Sequence, residues 1–342
     1  MPAHSLRLTA FGLDHLALTP NEIPTPGPHE VLVSLTAASL NYRDLMVALG
    51  HYNPKMQLPR TLGSDAAGTV TAVGSDVTLF QPGDRVATLF FQDWLDGPIA
   101  ATTGRSALGG TIDGAFTTAR LFPETGLIHI PAHLSDAEAA TLPCAALTAW
   151  NALVEKGRLC AGQTVLVLGT GGVSLFALQI ARLHGARVIV TSSSDEKLQR
   201  ARALGADETL NYRTTPAWDT AVKDLTGGLG VDHVVEVGGA NTLALSASSA
   251  AVNGNLSIIG VLSGTSAASP GLDPRIILSK SLNIHGVYVG SRAMFARMNA
   301  AFALAKTHPV LDRAFPLADA RAALTHMQAA SHFGKITLDL NA

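Results

Sequence analysis

At 342 residues the chain is longer than a single hydrophobic core usually grows, so two domains are expected. Its 24 Lys plus Arg against 26 Asp plus Glu leave a formal net charge of −2 with no block of like charge, which argues against a nucleic-acid backbone or an acidic membrane surface as partner. The two cysteines, Cys144 and Cys160, are too few for a disulfide framework or for the paired clusters of a structural zinc, and no apolar run is long enough to span a bilayer.

The N-terminus, Met1-Pro2-Ala3-His4, has no basic stretch followed by an apolar core, so a cytoplasmic protein is expected. Prolines 24, 26 and 28 lead into an alternating stretch from Glu30 to Ala38 that predicts a half-buried strand. Further short strands are predicted at Gly68 to Val73 and Asp84 to Ala87. Turn signals at Gly74-Ser75-Asp76 and Pro82-Gly83-Asp84 separate them, at the spacing of an irregular β barrel. The stretch from Phe90 to Asp113 opens with Phe90-Phe91-Gln92-Asp93-Trp94 and reads as a loop rich in aromatics.

The pattern changes near Leu134. Ser135-Asp136-Ala137-Glu138 is a capping signal before an Ala-rich helix toward Asn151. Strands and helices then alternate: strand Thr164 to Leu168, helix Val173 to His184, strand Arg187 to Thr191, helix Asp195 to Leu204, strands at Val231 to Val237 and Leu256 to Val261. This is the βαβ rhythm of a doubly wound parallel sheet. Ser281 to Val289 predicts a strand at the edge of that sheet. The tail offers helices at Met294 to Lys306 and Leu317 to Ala329 and a strand at Lys335 to Leu340, too little for a domain of its own, so it is expected to return to the first one.

The strongest local motif is Gly169-Thr170-Gly171-Gly172-Val173-Ser174, between a buried strand and an amphipathic helix. Backbone amides at such a helix start can approach a pyrophosphate only where side chains are absent. Ser174 stands where the fingerprint has its third glycine, and an ordinary tight turn is the competing reading. After the second strand, no carboxylate occupies the tip where an NAD enzyme would hold the ribose hydroxyls; Ser193, Ser194 and Lys197 follow instead, suited to a 2′-phosphate. The bland alternative is that Ser194 caps the next helix and Lys197 is solvated. NADPH is the expected cofactor.

These stretches, with Ser39-Leu40-Asn41-Tyr42-Arg43-Asp44, Leu62-Gly63-Ser64-Asp65-Ala66-Ala67-Gly68, Pro82-Gly83-Asp84-Arg85-Val86, Leu142-Pro143-Cys144, Leu147-Thr148-Ala149-Trp150 and Leu204-Gly205-Ala206-Asp207, resemble the medium-chain dehydrogenase/reductase superfamily, quinone oxidoreductase type. The resemblance covers essentially the whole chain. It implies a GroES-like domain from residues 1–140 and 290–342 and a Rossmann domain from 141–289, with the cofactor in the cleft between them. It also implies that Asn41 and Tyr52 face the nicotinamide, that Thr148 contacts it, that Val237-Gly238 and Gly260-Val261 pass near it, and that Lys197 and Tyr212 bind the 2′-phosphate. A homodimer joined through the edge strand follows from the same resemblance.

Zinc alcohol dehydrogenases of this superfamily hold their metal with Cys, His and Cys, but the matching positions here are Asn41, Ser64 and Cys144. One thiol, an amide and a hydroxyl make a poor zinc site, so no metal is expected. Hydride addition to an already electrophilic acceptor needs no Lewis acid, which points to quinones or α,β-unsaturated carbonyls as substrates. Tyr52 is a candidate hydrogen-bond donor or acid, or simply a wall residue; Asp44 is read as a structural anchor and His51 as solvated. Phe90, Phe91 and Trp94 are candidates for a substrate pocket, with a subunit contact or a satellite cluster as alternatives. Competing functions are an alcohol or aldehyde dehydrogenase with a degenerate zinc site and a non-catalytic NADPH-binding protein.

Overall fold

The computed structural model describes residues 3–23, 25–260 and 271–342, which divide into two compact units, Met1–Leu147 with Gly290–Ala342, and Thr148–Val289. Among these residues no helix is long and apolar enough to cross a membrane.

The first unit is built on strand Glu30–Ser39, whose alternating sequence buries Val31, Val33 and Leu35 on one face. Asp65–Val73 and Ala119–Pro123 pair antiparallel with it, and Arg85–Thr88 and Leu127–His129 continue the sheet. On the other side the C-terminal strand Lys335–Asp339 pairs antiparallel with its end, Thr337 opposite Ser39 and Leu338 opposite Ala38. Leu311–Pro316 pairs parallel with its other edge, so the tail returns to the first unit and satisfies its backbone groups there. A smaller sheet joins Leu16–Asn21, Ala3–Leu8 and Arg60–Thr61. Leu6, Leu8, Leu35, Phe116, Phe122, Leu324, Ile336 and Leu338 share the core between these sheets and helix Ala320–Gln328.

The second unit is a six-stranded parallel sheet in the order Glu208–Asn211, Arg187–Ser192, Thr164–Leu168, Val231–Glu236, Ala250–Ile258, Asn283–Gly286. Continuous apolar strands such as Val165–Val167 are fully buried, as a sheet covered on both faces requires.

Several expectations are corrected. Leu134 to Asn151 is not one helix: Asp136–Ala139 is followed by a wide π turn at Leu142–Ala146, an α turn at Leu147–Trp150 and a second π segment at Asn151–Lys156. Pro143 at the start of the first π turn cannot donate a backbone bond, which a regular helix there would need. The expected strand Leu256 to Val261 begins earlier and spans Ala250–Ile258, while Val261 lies outside the described residues. The edge strand is shorter than its apolar run, Asn283–Gly286. Leu317–Asp319 forms a 3-10 turn ahead of the last helix, and between the two tail helices Leu311–Pro316 forms a strand that the sequence does not predict.

Candidate active and cofactor sites

In the first unit, strand Glu30–Ser39 runs through Leu40 into helix Tyr42–Ala48, capped at Asn41. Asp44 Oδ2 accepts from the Asn41 backbone N–H at 2.8 Å, closing the first turn back on itself. Asp44 is fully buried. Burial pushes its carboxyl up to about 6, with the Arg43 guanidinium opposing, and Arg43 Nη2 lies 3.7 Å from Asp44 Oδ1. Arg43 in turn donates to Leu108 O at 2.5 Å and stacks over the Phe90 ring with its guanidinium carbon 4.4 Å from the centroid.

Around Asn41 the chain brings together residues far apart in sequence. Lys335, 3% exposed, donates from Nζ to Leu40 O at 2.5 Å and to Asn41 Oδ1 at 2.7 Å. Asn41 Nδ2 reaches Ser64 Oγ at 3.5 Å, and Ser64 donates its own proton to Asp65 Oδ1 at 2.6 Å. Asp65 Oδ2 accepts the Cys144 backbone N–H at 3.0 Å, an amide that the π turn presents. Such widened turns recur at functional sites because they redirect a backbone group without ending the helix. Burial raises the Asp65 carboxyl and lowers the Lys335 ammonium, each partly restored by the other.

This donor set does not fit zinc. Burial pushes the Cys144 thiol well above its usual range, and the Asp65 carboxylate adds to the shift, so it keeps its proton. The Asn41 oxygen is committed to Lys335, the Ser64 hydrogen to Asp65, and a buried ammonium stands against any further cation. Among the described residues no group of three His, Cys, Asp or Glu side chains converges to hold a metal.

Tyr52 is half-buried, its ring 5.6 Å from the Arg43 guanidinium carbon and packed against the core, while His51 is exposed. Phe90, Phe91 and Trp94 are buried, at 2%, 2% and 6% exposed. Phe90 and Phe91 pack edge to face at 4.7 Å, Trp94 Nε1 donates to Gly97 O at 3.0 Å, and Trp94 O accepts from Arg292 N at 2.9 Å. They pack together and are held by backbone bonds to the start of helix Arg292–Ala305.

The second unit carries the glycine turn. Gly169 has φ +75°, a conformation only glycine adopts without strain. Gly171 differs: its φ is −80° and a Cβ there would meet nothing within 4 Å, so nothing in the protein itself demands glycine. The open space before helix Gly172–Leu183, whose first amides have no side-chain cap at Gly171, fits a pyrophosphate. Ser174, 2% exposed, turns its hydroxyl back onto Leu168 O at 2.7 Å and so replaces the third glycine without filling the turn. Val173 opens the helix beside Gly172.

Strand Arg187–Ser192 ends without a carboxylate at its tip. Ser194 caps helix Asp195–Ala203, its Oγ accepting from Lys197 N at 3.3 Å, so one bland reading holds in part. Ser193 and Lys197 are half-buried beside it, and Tyr212, 42% exposed, is tied by its backbone N–H to Ser192 O at 3.1 Å. The tip of the second strand and the start of Tyr212 thus lie together. Thr148 is buried.

Two charged residues escaped the reading of the sequence. Lys335 is one. The other is Glu236, fully buried at the end of strand Val231–Glu236, which accepts from Gly238 N at 2.7 Å, Gly239 N at 2.9 Å, Thr242 Oγ1 at 2.7 Å and the Ser246 hydroxyl. It orders the Val237-Gly238 turn, and Gly260 packs beneath that turn, where a Cβ would lie 1.9 Å from Val237 O. A charged residue inside the apolar run Val-Val-Glu-Val-Gly-Gly was the signal available.

A strand-tip glycine turn in a parallel sheet, joined to a β-rich unit carrying the Asn41 to Asp65 cluster, defines an oxidoreductase of the medium-chain dehydrogenase/reductase superfamily, and the chain belongs to it. Residues 27–132 match the alcohol dehydrogenase GroES-like domain and residues 172–305 the zinc-binding dehydrogenase family. A zinc-type alcohol dehydrogenase-like protein of Schizosaccharomyces pombe is 45% identical over 96% of each chain, and Homo sapiens quinone oxidoreductase is 28% identical over 86% of this chain and 84% of its own. Among solved structures, an NAD-dependent alcohol dehydrogenase superposes with TM-score 0.89 at 36% identity over 98% of this chain and 99% of its own. A mycobacterial protein in complex with NADPH gives 0.81 at 29% over the same shares.

Proposed function

We propose that the protein is an NADPH-dependent reductase of quinones or α,β-unsaturated carbonyls that works without a catalytic metal. The observation that carries this reading is the donor set at Asn41, Ser64 and Cys144, whose oxygen, hydroxyl and thiol are each committed in a way that disfavours zinc. Without a Lewis acid an alcohol has neither polarisation nor a route for its proton, whereas a conjugated acceptor is already electrophilic.

Gly169, Gly171, Gly172 and Val173 would receive the pyrophosphate on the helix amides, and Ser193, Ser194, Lys197 and Tyr212 the 2′-phosphate. Preference for NADPH is supported by the bare strand tip, since an acidic residue there would repel that phosphate. When bound, the cofactor supplies a hydride. The protein's part is to orient the two reactants and exclude water, with Asn41 beside the nicotinamide and Tyr52 or water returning a proton. The unit boundaries, the small-molecule substrate and a dimer through the Asn283–Gly286 edge complete the proposal; that strand has a single partner among the described strands, and light scattering would show one chain or two.

The test is NADPH oxidation at 340 nm by chelator-treated protein against a quinone, an enone, an enal and a simple aldehyde, with NADH in parallel. Turnover of the conjugated acceptors with NADPH preferred supports the reading. Activity confined to the simple aldehyde and dependent on added zinc replaces it with an alcohol dehydrogenase that remodels the Asn41 cluster.

A further inference from the structure

The small sheet of the first unit turns a polar face onto a cavity that the reductase reading leaves unused. Ser5 and Arg7 alternate with the core residues Leu6 and Leu8 along strand Ala3–Leu8. Thr19 and Thr61 stand opposite Ser5 and Arg7 on the two flanking strands, so all four share one face. Together with Asn21, Asp113, Thr117 and Arg120 they line a cavity of about 190 Å³. Part of its wall is a buried hydroxyl pair, Ser5 Oγ donating to Thr117 Oγ1 at 2.8 Å.

The charge of this cavity is one-sided. Arg7 and Arg120 line it, and Asp113 is the one carboxylate in its lining. Asp113 Oδ1 already accepts the Thr61 backbone N–H at 2.8 Å and lies 3.8 Å from Arg60 Nη1. Three guanidinium groups therefore share one carboxylate. Burial holds the Arg120 guanidinium down to about 10, with Asp113 opposing and Arg60 adding to the shift. Neither lining arginine is used up by the protein. Arg7 gives one hydrogen bond, from Nη2 to Pro59 O at 3.3 Å, and its Nε is shut away from water with no partner. Arg120 gives Nη1 to Asp113 O and, at 2.6 Å, to Gly114 O, while its Nε and Nη2 bond to nothing among the described residues. The Thr61 hydroxyl is likewise without a bond among them. Guanidinium donors withdrawn from water and left without acceptors cost stability, and an anion that supplies acceptors recovers it.

We propose that this cavity binds a phosphate group, free or at the end of a small phosphomonoester, held between the Arg7 and Arg120 guanidinium groups with the Thr61 hydroxyl as a further donor. A planar carboxylate satisfies one guanidinium fork, whereas a tetrahedral dianion presents oxygens to both forks and to a hydroxyl beside them. The site takes no residue from the Asn41 cluster or from the glycine turn, and it does not depend on the reductase reading. A bound phosphate ties strand Ala3–Leu8 and Thr61 to the 113–120 segment, and so stabilises the first unit by mass action.

The test is isothermal titration of the full chain with inorganic phosphate, glycerol phosphate and acetate in chloride buffer of matched ionic strength. Phosphate is expected to bind with a Kd on the order of 1 mM or tighter, and acetate at least about tenfold more weakly. Glycerol phosphate binding as well as phosphate identifies an ester as the natural source, and its exclusion identifies free phosphate; both keep the site. The titration is repeated with saturating NADP+, and the phosphate isotherm is expected to be unchanged. Arg7→Met keeps the apolar stem and is expected to weaken phosphate binding about tenfold or more, with the Kd for NADPH, read by fluorescence, within about twofold. Asp113→Asn can keep the bond to Thr61 N through its amide oxygen while removing the one carboxylate in the lining, and is expected to tighten phosphate binding about fivefold. A loss of structure would not produce that gain, so Asp113→Asn decides the matter should Arg7→Met fold poorly. Phosphate that binds no better than acetate, that NADP+ displaces, that Arg7→Met binds as tightly as the wild type, or that Asp113→Asn fails to bind more tightly overturns the inference. A protein that binds phosphate here but no NADP+ loses the reductase reading and keeps this site.

Discussion

The two units treat buried charge in opposite ways. Among the described residues the first buries four charged side chains, Arg43, Asp44, Asp65 and Lys335, whereas the second buries one, Glu236. The first unit holds preset charges around a single amide. The second offers empty space and backbone at Gly171 and uses its one carboxylate to shape a turn. Fixed charge of known direction suits a site that must meet charge at one atom, whereas backbone amides without side chains suit a site that must receive an anion.

The sharpest way to break this contrast is in the first unit. Asp65→Ala removes the partner of Ser64, of the Cys144 amide and of the Lys335 charge together. Leaving a buried ion without its partner costs about 3–5 kcal/mol, so urea unfolding should show a loss of that size. A loss under 1 kcal/mol would mean that the ammonium is not held by charge at all.

In the second unit the expected effect falls on binding and spares the fold. Gly171→Asp places a good N-cap residue where φ is −80° and space is open, so the helix should be unchanged or slightly more stable. The same carboxylate would repel a pyrophosphate, and the Kd for NADPH should rise about 100-fold, ~3 kcal/mol. Loss of stability with unchanged affinity would place the phosphates elsewhere. Lys197→Ala is milder: NADPH should bind about tenfold more weakly, ~1.4 kcal/mol, with NADH unaffected. Equal loss for both dinucleotides would remove Lys197 from the 2′-phosphate.

The contrast also explains what could be read in the sequence. The glycine turn, the Ser194 cap and the bare strand tip are local, set by residues within a few positions of each other, and they lie where the sequence predicts them. The Asn41 segment was legible as a motif, but its meaning depends on Lys335, 294 residues away, and no periodicity announces that contact. The packing of Phe90, Phe91 and Trp94 was illegible for the same reason: it depends on the distant backbone of Arg292 and Ala293, which is bonded to Trp94 and Leu95. Strand Leu311–Pro316 was hidden because its residues are largely exposed and lack alternation.

The smallest effect separates the units by pH. Burial holds Asp44 in the first unit up to about 6, above its usual 3.8, and holds His233 in the second down to about 4, below its usual 6.5. As pH falls from 6 toward 4, folded Asp44 takes up a proton that the unfolded chain does not yet bind, so its contribution to stability rises. Over nearly the same range the unfolded chain protonates His233 while the folded protein keeps it neutral against Gln163, 2.9 Å from Nε2, so that contribution falls. Each slope is at most about 1 kcal/mol per pH unit, and the two oppose. The differences between wild type and Asp44→Asn, and between wild type and His233→Gln, should therefore tilt in opposite directions when urea unfolding is followed from pH 6.5 to 4. Parallel curves for both pairs would show that these groups titrate alike in the folded and unfolded protein, and that the buried charge of the first unit is not held against the cost of its burial.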